Sequence, residues 1–207
     1  FSGQPFIRNY HWEPERGVQF HVVDKDSGHV VRTARSRAVF AFHHVNAFEE
    51  GDTVVVDLVA FPDAGVIDQL YLERLRSAEP VTATGQLTRF RIGARGDATA
   101  DTLSEARIEL PRIHYRRYAG RRYRYVYAAG NAVPGHFLDA LVKVDLAQHA
   151  SASWYEAGCY PGEPVFVATP EATEEDDGVL LSVVLDAKQA ASFLLILDAA
   201  SARRSSL

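Results

Sequence analysis

The chain has 207 residues, 47% of them hydrophobic and 24% charged, with a formal net charge of -5. A length of this order suits one domain or a part of a larger one. The balance excludes an intrinsically disordered segment, which pairs low hydrophobicity with high net charge, and a general nucleic-acid binder, which carries a basic surface.

Taken in chain order, strands dominate. Val18, Phe20 and Val22 alternate with polar neighbours, and Asp24-Lys25-Asp26-Ser27-Gly28 turns this strand into a returning one over His29–Thr33. Ala38–Asn46 is a second strong strand, and Glu49-Glu50-Gly51-Asp52 turns the chain into Thr53–Phe61. The β-branched run Val54-Val55-Val56 there predicts burial on both faces. Val66, Ile67, Leu70, Tyr71 and Leu75 recur at helical spacing, so one short helix is expected over Val66–Arg76. Later strands are expected at Gln86–Ile92, Ala106–Leu110, Arg122–Ala128, Ala140–Asp145, Pro164–Ala168, Val179–Asp186 and Ser192–Asp198. Turn residues at this spacing belong to an all-β sandwich, barrel or propeller. No sharp repeat is visible, and no linker rich in Gly, Pro or Ser divides the chain.

Three further features constrain the reading. The only cysteine, Cys159, allows no internal disulfide and is expected as a small buried hydrophobe. The chain contains no methionine and opens at Phe1, the expectation for a segment of a longer product. Its end, residues 201–207, is polar and patternless and reads as a tail or trimmed edge. No apolar run approaches the ~20 residues of a membrane span. The acidic cluster Glu171, Glu174, Glu175, Asp176 and Asp177 reads as a solvated turn, with a calcium loop as the sharper alternative.

The chemistry-bearing candidates are few. Of eight histidines, His43 and His44 alone sit inside an apolar strand, Phe40-Ala41-Phe42-His43-His44-Val45-Asn46. Strand alternation sends their rings to opposite faces, so one can point to a site while the other packs. On spacing alone a satisfied core histidine is the commoner outcome, because no HxxxH, HxH or HExxH pattern accompanies the pair. Glu109 and Glu163 each stand beside a proline at the end of an apolar strand. A buried carboxylate needs a partner. That partner is either an arginine or the free N–H of a metal-bound imidazole. Arginines and tyrosines interleave from Arg112 to Tyr127. Such interleaving can bind single-stranded nucleic acid, but strand alternation over Tyr123-Arg124-Tyr125-Val126-Tyr127 favours tyrosines packed inward and arginines outward.

Four blocks in order resemble one family. They are Phe42-His43-His44-Val45-Asn46-Ala47-Phe48-Glu49; Glu109-Leu110-Pro111-Arg112-Ile113 with Gly120 to Tyr127; Gly162-Glu163-Pro164-Val165-Phe166-Val167; and Glu174 to Val184. Together they resemble the C-terminal portion of the carotenoid cleavage oxygenases. That family spans carotenoid, apocarotenoid and lignostilbene dioxygenases and the retinal pigment epithelium isomerase relatives.

The resemblance implies an all-β fold in which residues 1–200 form the C-terminal blades of a seven-bladed β-propeller, with one short helix inserted. It implies Fe(2+) on the propeller axis, held by four histidines, of which His43 is the third and His44 a weaker alternative. Glu109 then orients the His43 ring, Glu163 orients the fourth histidine, and Phe61 and Leu110 stand near the substrate tunnel. The other three ligands fall outside this sequence, so the chain by itself is expected to be inactive. The implied activity is cleavage of a carotenoid or apocarotenoid double bond with O2 to aldehyde or ketone products. The implied partners are an apolar polyene and O2, with no nucleic acid. The implied location is cytoplasmic, the full-length protein being peripheral to a membrane. The competing expectations are a stilbene-cleaving parent, or an incompetent fragment or pseudo-enzyme that acts at most as a binding module.

Overall fold

The computed structural model describes residues 3, 5–77 and 79–205. Strands are its dominant regular structure, and every pairing is antiparallel. A hairpin, β1 (Val18–Val23) and β2 (Val30–Ser36), comes first. A seven-stranded sheet follows in strict chain order: β3 (His44–Glu50), β4 (Thr53–Ala60), β5 (Gln86–Ile92), β6 (Ala98–Arg112), β7 (Tyr125–Gly130), β8 (Ala140–Asp145) and β9 (Ala150–Tyr155). A last sheet sets β10 (Cys159–Pro161), β11 (Val165–Ala168) and β13 (Ala191–Asp198) against β12 (Gly178–Asp186), with β14 (Arg203–Arg204) pairing on β13.

Strand β6 is the pivot. Its first part pairs with β5, from Ala98↔Ile92 to Arg107↔Gln86, and its second part pairs with β7, from Ile108↔Gly130 to Arg112↔Tyr127. The long strand therefore hands the chain from one meander to the next. Three apolar layers fill the gaps. One joins Phe20 of the first hairpin to Leu58 and Phe90. A second joins Val55, Val59 and Leu87 to Val126, Val142 and Val144. The third joins Tyr127, Leu141 and Trp154 to Leu180, Val184, Leu195 and Leu197. The inner strands β4 and β7 are buried on both faces, which is why they read as nearly continuous apolar runs.

One turn recurs four times. Asp24, Asp145, Asp186 and Asp198 each accept backbone N–H bonds through Oδ1 from residues two or three positions on. The residue four places after each, Gly28, His149, Ala190 or Ala202, takes a left-handed backbone with φ of 72, 51, 49 and 56°. An aspartate carboxylate that mimics a backbone turn makes this conformation accessible even to alanine.

The structure differs from the sequence reading at several places. The helix expected over Val66–Arg76 is two single turns, α1 (Val66–Gln69) and α2 (Leu72–Leu75), broken where Tyr71 turns extended at φ -64° and ψ 140°. Gln69 Oε1 accepts the N–H groups of Thr82 and Ala83 at 2.7 and 2.9 Å, which ties α1 to the returning chain. Another helical turn, α3 (Tyr115–Tyr118), was not anticipated. The ladder expected from Ala38 starts only at His44. Upstream, Phe40 alone bridges Phe61. Strand β9 was missed because its Ala-Ser-Ala-Ser run faces solvent as an edge and carries no apolar alternation. The end read as a tail turns back as a hairpin, with Leu197 opposite Arg204 and Ala202 buried, while residues 206 and 207 lie outside the described residues. Cys159 is buried and free.

Two charge patterns also resolve differently. The acidic cluster is a brace rather than a solvated turn. Glu175 accepts the N–H groups of Arg124 and Tyr125, Asp176 lies 2.5 Å from Lys143 Nζ, and Asp177 accepts those of Thr173 and Glu174. Burial raises Glu175 above the usual carboxylate range against the pull of its two backbone donors. The tyrosines do not share one inward face. Tyr123 packs in the second apolar layer with Val126, whereas Tyr125 and Tyr127 pack in the third. No described helix is long and apolar enough to cross a membrane.

Candidate active site

Two strand irregularities converge on one place. Register slips in β3 between His44 and Asn46, and it slips again in β6 between Glu109 and Arg112. Pro111 lies in the second slip, where a missing N–H breaks the ladder at no further loss. Bulges of this kind re-aim side chains. Here they bring together two residues 66 positions apart: His43 Nδ1 lies 2.5 Å from Glu109 Oε2. The ring is 43% exposed and the carboxylate 11%. The same Oε2 accepts the Leu110 N–H at 2.6 Å, and Oε1 is buried without a partner among the described residues.

A carboxylate at this distance accepts the Nδ1–H of a neutral imidazole, so Nδ1 is the donor and Nε2 keeps its lone pair. Leu110 adopts φ 54°, a left-handed backbone that an L side chain takes at a cost of about 1–3 kcal/mol. The bond from its N–H to the preceding carboxylate offsets part of that strain.

His43 and Glu109 open onto a cavity of about 270 Å³, whose walls include Phe61, Leu110, Phe42, Val66 and Leu70. Phe42 and Phe61 meet edge to face with centroids 5.7 Å apart. Gly85 lines the same cavity, and no Cβ fits there; one would stand 2.3 Å from Val59 Cγ1 and 2.6 Å from the Ile108 carbonyl oxygen.

The other sequence candidates fall elsewhere. His44 is exposed and does not line the cavity. Glu163 is half-exposed and takes the arginine alternative, ion-paired to Arg112 at 2.8 Å. Arg112 stands three residues after Glu109 on β6, so the two glutamates are linked through one strand although they do not touch one partner. Sequence reasoning missed the loop 131–139, which brings Asn131, His136 and Phe137 to the cavity. His114, buried against Phe166 and beside Arg117 and Arg116, is held below its ordinary pKa chiefly by that burial. Among the described residues no cluster of three or more His, Cys, Asp or Glu side chains could hold a metal ion. His43 is thus one imidazole, without a partner at Nε2 among the described residues, at the edge of an apolar cavity.

A layered all-β chain that presents a carboxylate-held imidazole to an apolar cavity matches the oxygenase class suggested by the four sequence blocks. The sequence profile of the retinal pigment epithelial membrane protein family matches residues 2–205. The chain belongs to that family, which is the family of the carotenoid cleavage oxygenases. It is 34% identical to a carotenoid isomerooxygenase of Galleria mellonella, over 89% of this chain and 38% of that protein. It is 36% identical to the chloroplastic carotenoid cleavage dioxygenase 8 of Arabidopsis thaliana, over 94% of this chain and 37% of the relative. A solved structure of a cobalt-substituted Synechocystis apocarotenoid oxygenase superposes with a TM-score of 0.81 at 31% identity, covering 91% of this chain and 40% of that one. The chain thus spans well under half the length of the relatives it matches.

Proposed function

We propose that this chain is the C-terminal part of a non-haem Fe(II) dioxygenase that cleaves a double bond of a carotenoid or apocarotenoid with O2 to carbonyl products. In this reading residues 1–200 form blades of a seven-bladed propeller, and the stacked meanders handed on by β6 are what such blades require. The observation that carries the reading is the 2.5 Å contact between His43 Nδ1 and Glu109 inside an apolar cavity. With Nδ1–H donated to the carboxylate, Nε2 is the lone pair that would enter an iron coordination sphere. The carboxylate raises its basicity and fixes the ring.

Bound ferrous ion would supply O2 activation. The chain's own residues do the rest. Glu109 holds the proton on Nδ1. Phe61, Leu110 and Phe42 exclude water and grip a rigid apolar polyene by surface contact. Glu163 would steady a further histidine supplied from outside this sequence, with Arg112 holding its carboxylate in place. One imidazole does not make a metal site, so the remaining ligands must come from the rest of a longer protein.

Titration of Fe(II) into the 207-residue chain tests this, followed by metal analysis after desalting. The reading expects no retained stoichiometric iron from the isolated chain. It expects loss of iron from a longer protein on His43→Ala but not on His44→Ala. Tight one-to-one retention by the isolated chain, or iron retained after His43→Ala in the longer protein, overturns the ligand assignment. A pseudo-enzyme, the second reading, predicts a longer protein that holds no iron in either form.

A further inference from the structure

The bulge that aims His43 is held from outside its own strand pair. Val45 is the residue that the β3 register skips, between His44 opposite Leu58 and Asn46 opposite Asp57. A residue inserted in this way is left out of the ladder. The Val45 carbonyl instead accepts the Tyr115 hydroxyl at 3.0 Å, across 70 positions of sequence. The next side chain, the buried Asn46, binds the turn that closes α3. Its Nδ2 donates to the Tyr118 and Arg121 carbonyls at 3.0 and 2.9 Å, and its Oδ1 accepts the Gly120 N–H at 3.1 Å. Gly120 takes φ 72°, the left-handed backbone that lets the turn close around the amide. An amide supplies both the donors and the acceptor that this turn needs, whereas an aspartate would set a carboxylate against two carbonyl oxygens.

We propose that Asn46 and Tyr115 are positioning residues for His43: through the α3 turn they hold the β3 bulge open and so keep the imidazole on the side of Glu109 and the cavity. This rests on the function proposed above and names what fixes its ligand. Side chains alternate with a period of two, so closing the bulge would set His44 opposite Val59 and exchange the faces of His43 and His44. The ladder alone favours closing, because regular pairing satisfies the groups that a bulge leaves out. The Tyr115 bond and the three bonds of Asn46 offset that preference. Burial raises the Tyr115 hydroxyl above its ordinary pKa, which keeps it a donor. The same tyrosine reaches the second carboxylate. Arg112 stands 5.9 Å from the centroid of its ring and pairs with Glu163 at 2.8 Å. One turn thus abuts the strand that carries His43 and the arginine that holds Glu163.

The test follows the His43 Nδ1 proton in the metal-free 207-residue chain. Its exchange with water is read by NMR of ¹⁵N-histidine-labelled protein, well below the melting temperature. The 2.5 Å bond to Glu109 should protect that proton in the unsubstituted chain. Tyr115→Phe keeps the ring, removes the bond to Val45, and should speed exchange at least about threefold, the low end for a neutral hydrogen bond. Asn46→Asp should speed it further. Ser182→Ala removes a comparable bond, 2.9 Å to the Gly162 carbonyl in the last sheet, and should leave the proton as it was. Unchanged exchange in Tyr115→Phe, or equal acceleration in Ser182→Ala, overturns the assignment and leaves the iron reading intact. Should Asn46→Asp fail to fold, Tyr115→Phe decides alone. An unprotected proton in the unsubstituted chain overturns both the assignment and the contact on which the proposed function rests. A longer protein that holds no iron defeats the proposed function without altering this readout, because no metal is added.

Discussion

Replacing Glu109 with Gln keeps the side chain's shape and removes its charge. Two hydrogen bonds converge on Oε2, at 2.5 Å from His43 Nδ1 and 2.6 Å from the Leu110 N–H. A bond to a charged group contributes about 1.5–3 kcal/mol and a neutral one about 0.5–1.5, so each bond weakens by about 1 kcal/mol. The new amide group then falls where Oε1 is buried with no partner among the described residues, an orphaned donor that costs about 1–3 kcal/mol. Relief from burying a charge works the other way and offsets part of this. The net loss is about 1–3 kcal/mol, which for a domain of this size lowers Tm by about 3–10 °C. The His43 ring reports separately. Its proton, held on Nδ1 by the carboxylate, should redistribute towards Nε2 in Glu109→Gln, as read by ¹⁵N NMR of the imidazole. Unchanged melting together with an unchanged ring tautomer would refute the claim that this carboxylate orients His43.

Four other outcomes are expected. Asp57 is fully buried, accepts two bonds from Arg89 at 2.8 and 2.7 Å, and accepts the Tyr123 hydroxyl at 2.6 Å. Asp57→Asn leaves that guanidinium uncompensated and should lose about 3–5 kcal/mol in urea denaturation. Gly85→Ala forces a methyl against the Ile108 carbonyl and Val59, an overpacking of about 1–3 kcal/mol that also narrows the cavity, measurable by thermal melting. His114 is held below 6.5 by burial and by Arg117 and Arg116, so the unfolded chain binds that proton more tightly. Its contribution is complete above pH 6.5 and is lost as pH falls from there through the folded value, and His114→Phe should flatten the stability profile in that window. Finally, β12 and β13 expose one apolar face, with Val183 at 63% and Leu194 at 58% directly opposite each other. The chain should self-associate in light scattering, and Val183→Lys with Leu194→Glu should return it to monomer.

How much was legible in the sequence depended on burial. Strands β5 and β8 were located to the residue and β4, β12 and β13 to within one, because both faces of each are packed or apolar. Strand β9 and the first half of β6 carry small or polar residues on an open face, so no alternation marks them. A different signal would have found β9: the aspartate that ends an apolar strand and caps a turn four residues long, seen at Asp24, Asp145, Asp186 and Asp198. The acidic brace escaped because its partners, Lys143 and the Arg124–Tyr125 backbone, are more than thirty residues away in sequence. His43 and Glu109 were singled out by their apolar neighbours. Their mutual reach was not readable locally, since it depends on two bulges in strands that are not adjacent in the sheet. His136 was passed over for the same reason, because only the loop's closure against Val81 brings it to the cavity.

The position of Glu109 also answers why a leucine is held in a left-handed backbone beside the site. If β6 ran regularly through Leu110 and Pro111, its pleat would carry the side chains on in strict alternation. The bulge instead inserts one residue, leaving Leu110 on the cavity wall and Arg112 paired with Glu163. The Leu110 N–H, freed from the ladder by that insertion, goes to the carboxylate that also holds His43. One oxygen thus satisfies the strained backbone and fixes the imidazole, so neither can relax without disturbing the other. Preorganisation of this kind requires that the strain be held by the surrounding structure. The buried Ile108 and Ile113 on either side of the bulge supply that hold. The β6 bulge therefore places a cavity wall and a second carboxylate together, and with the slip in β3 it gives an oriented ring.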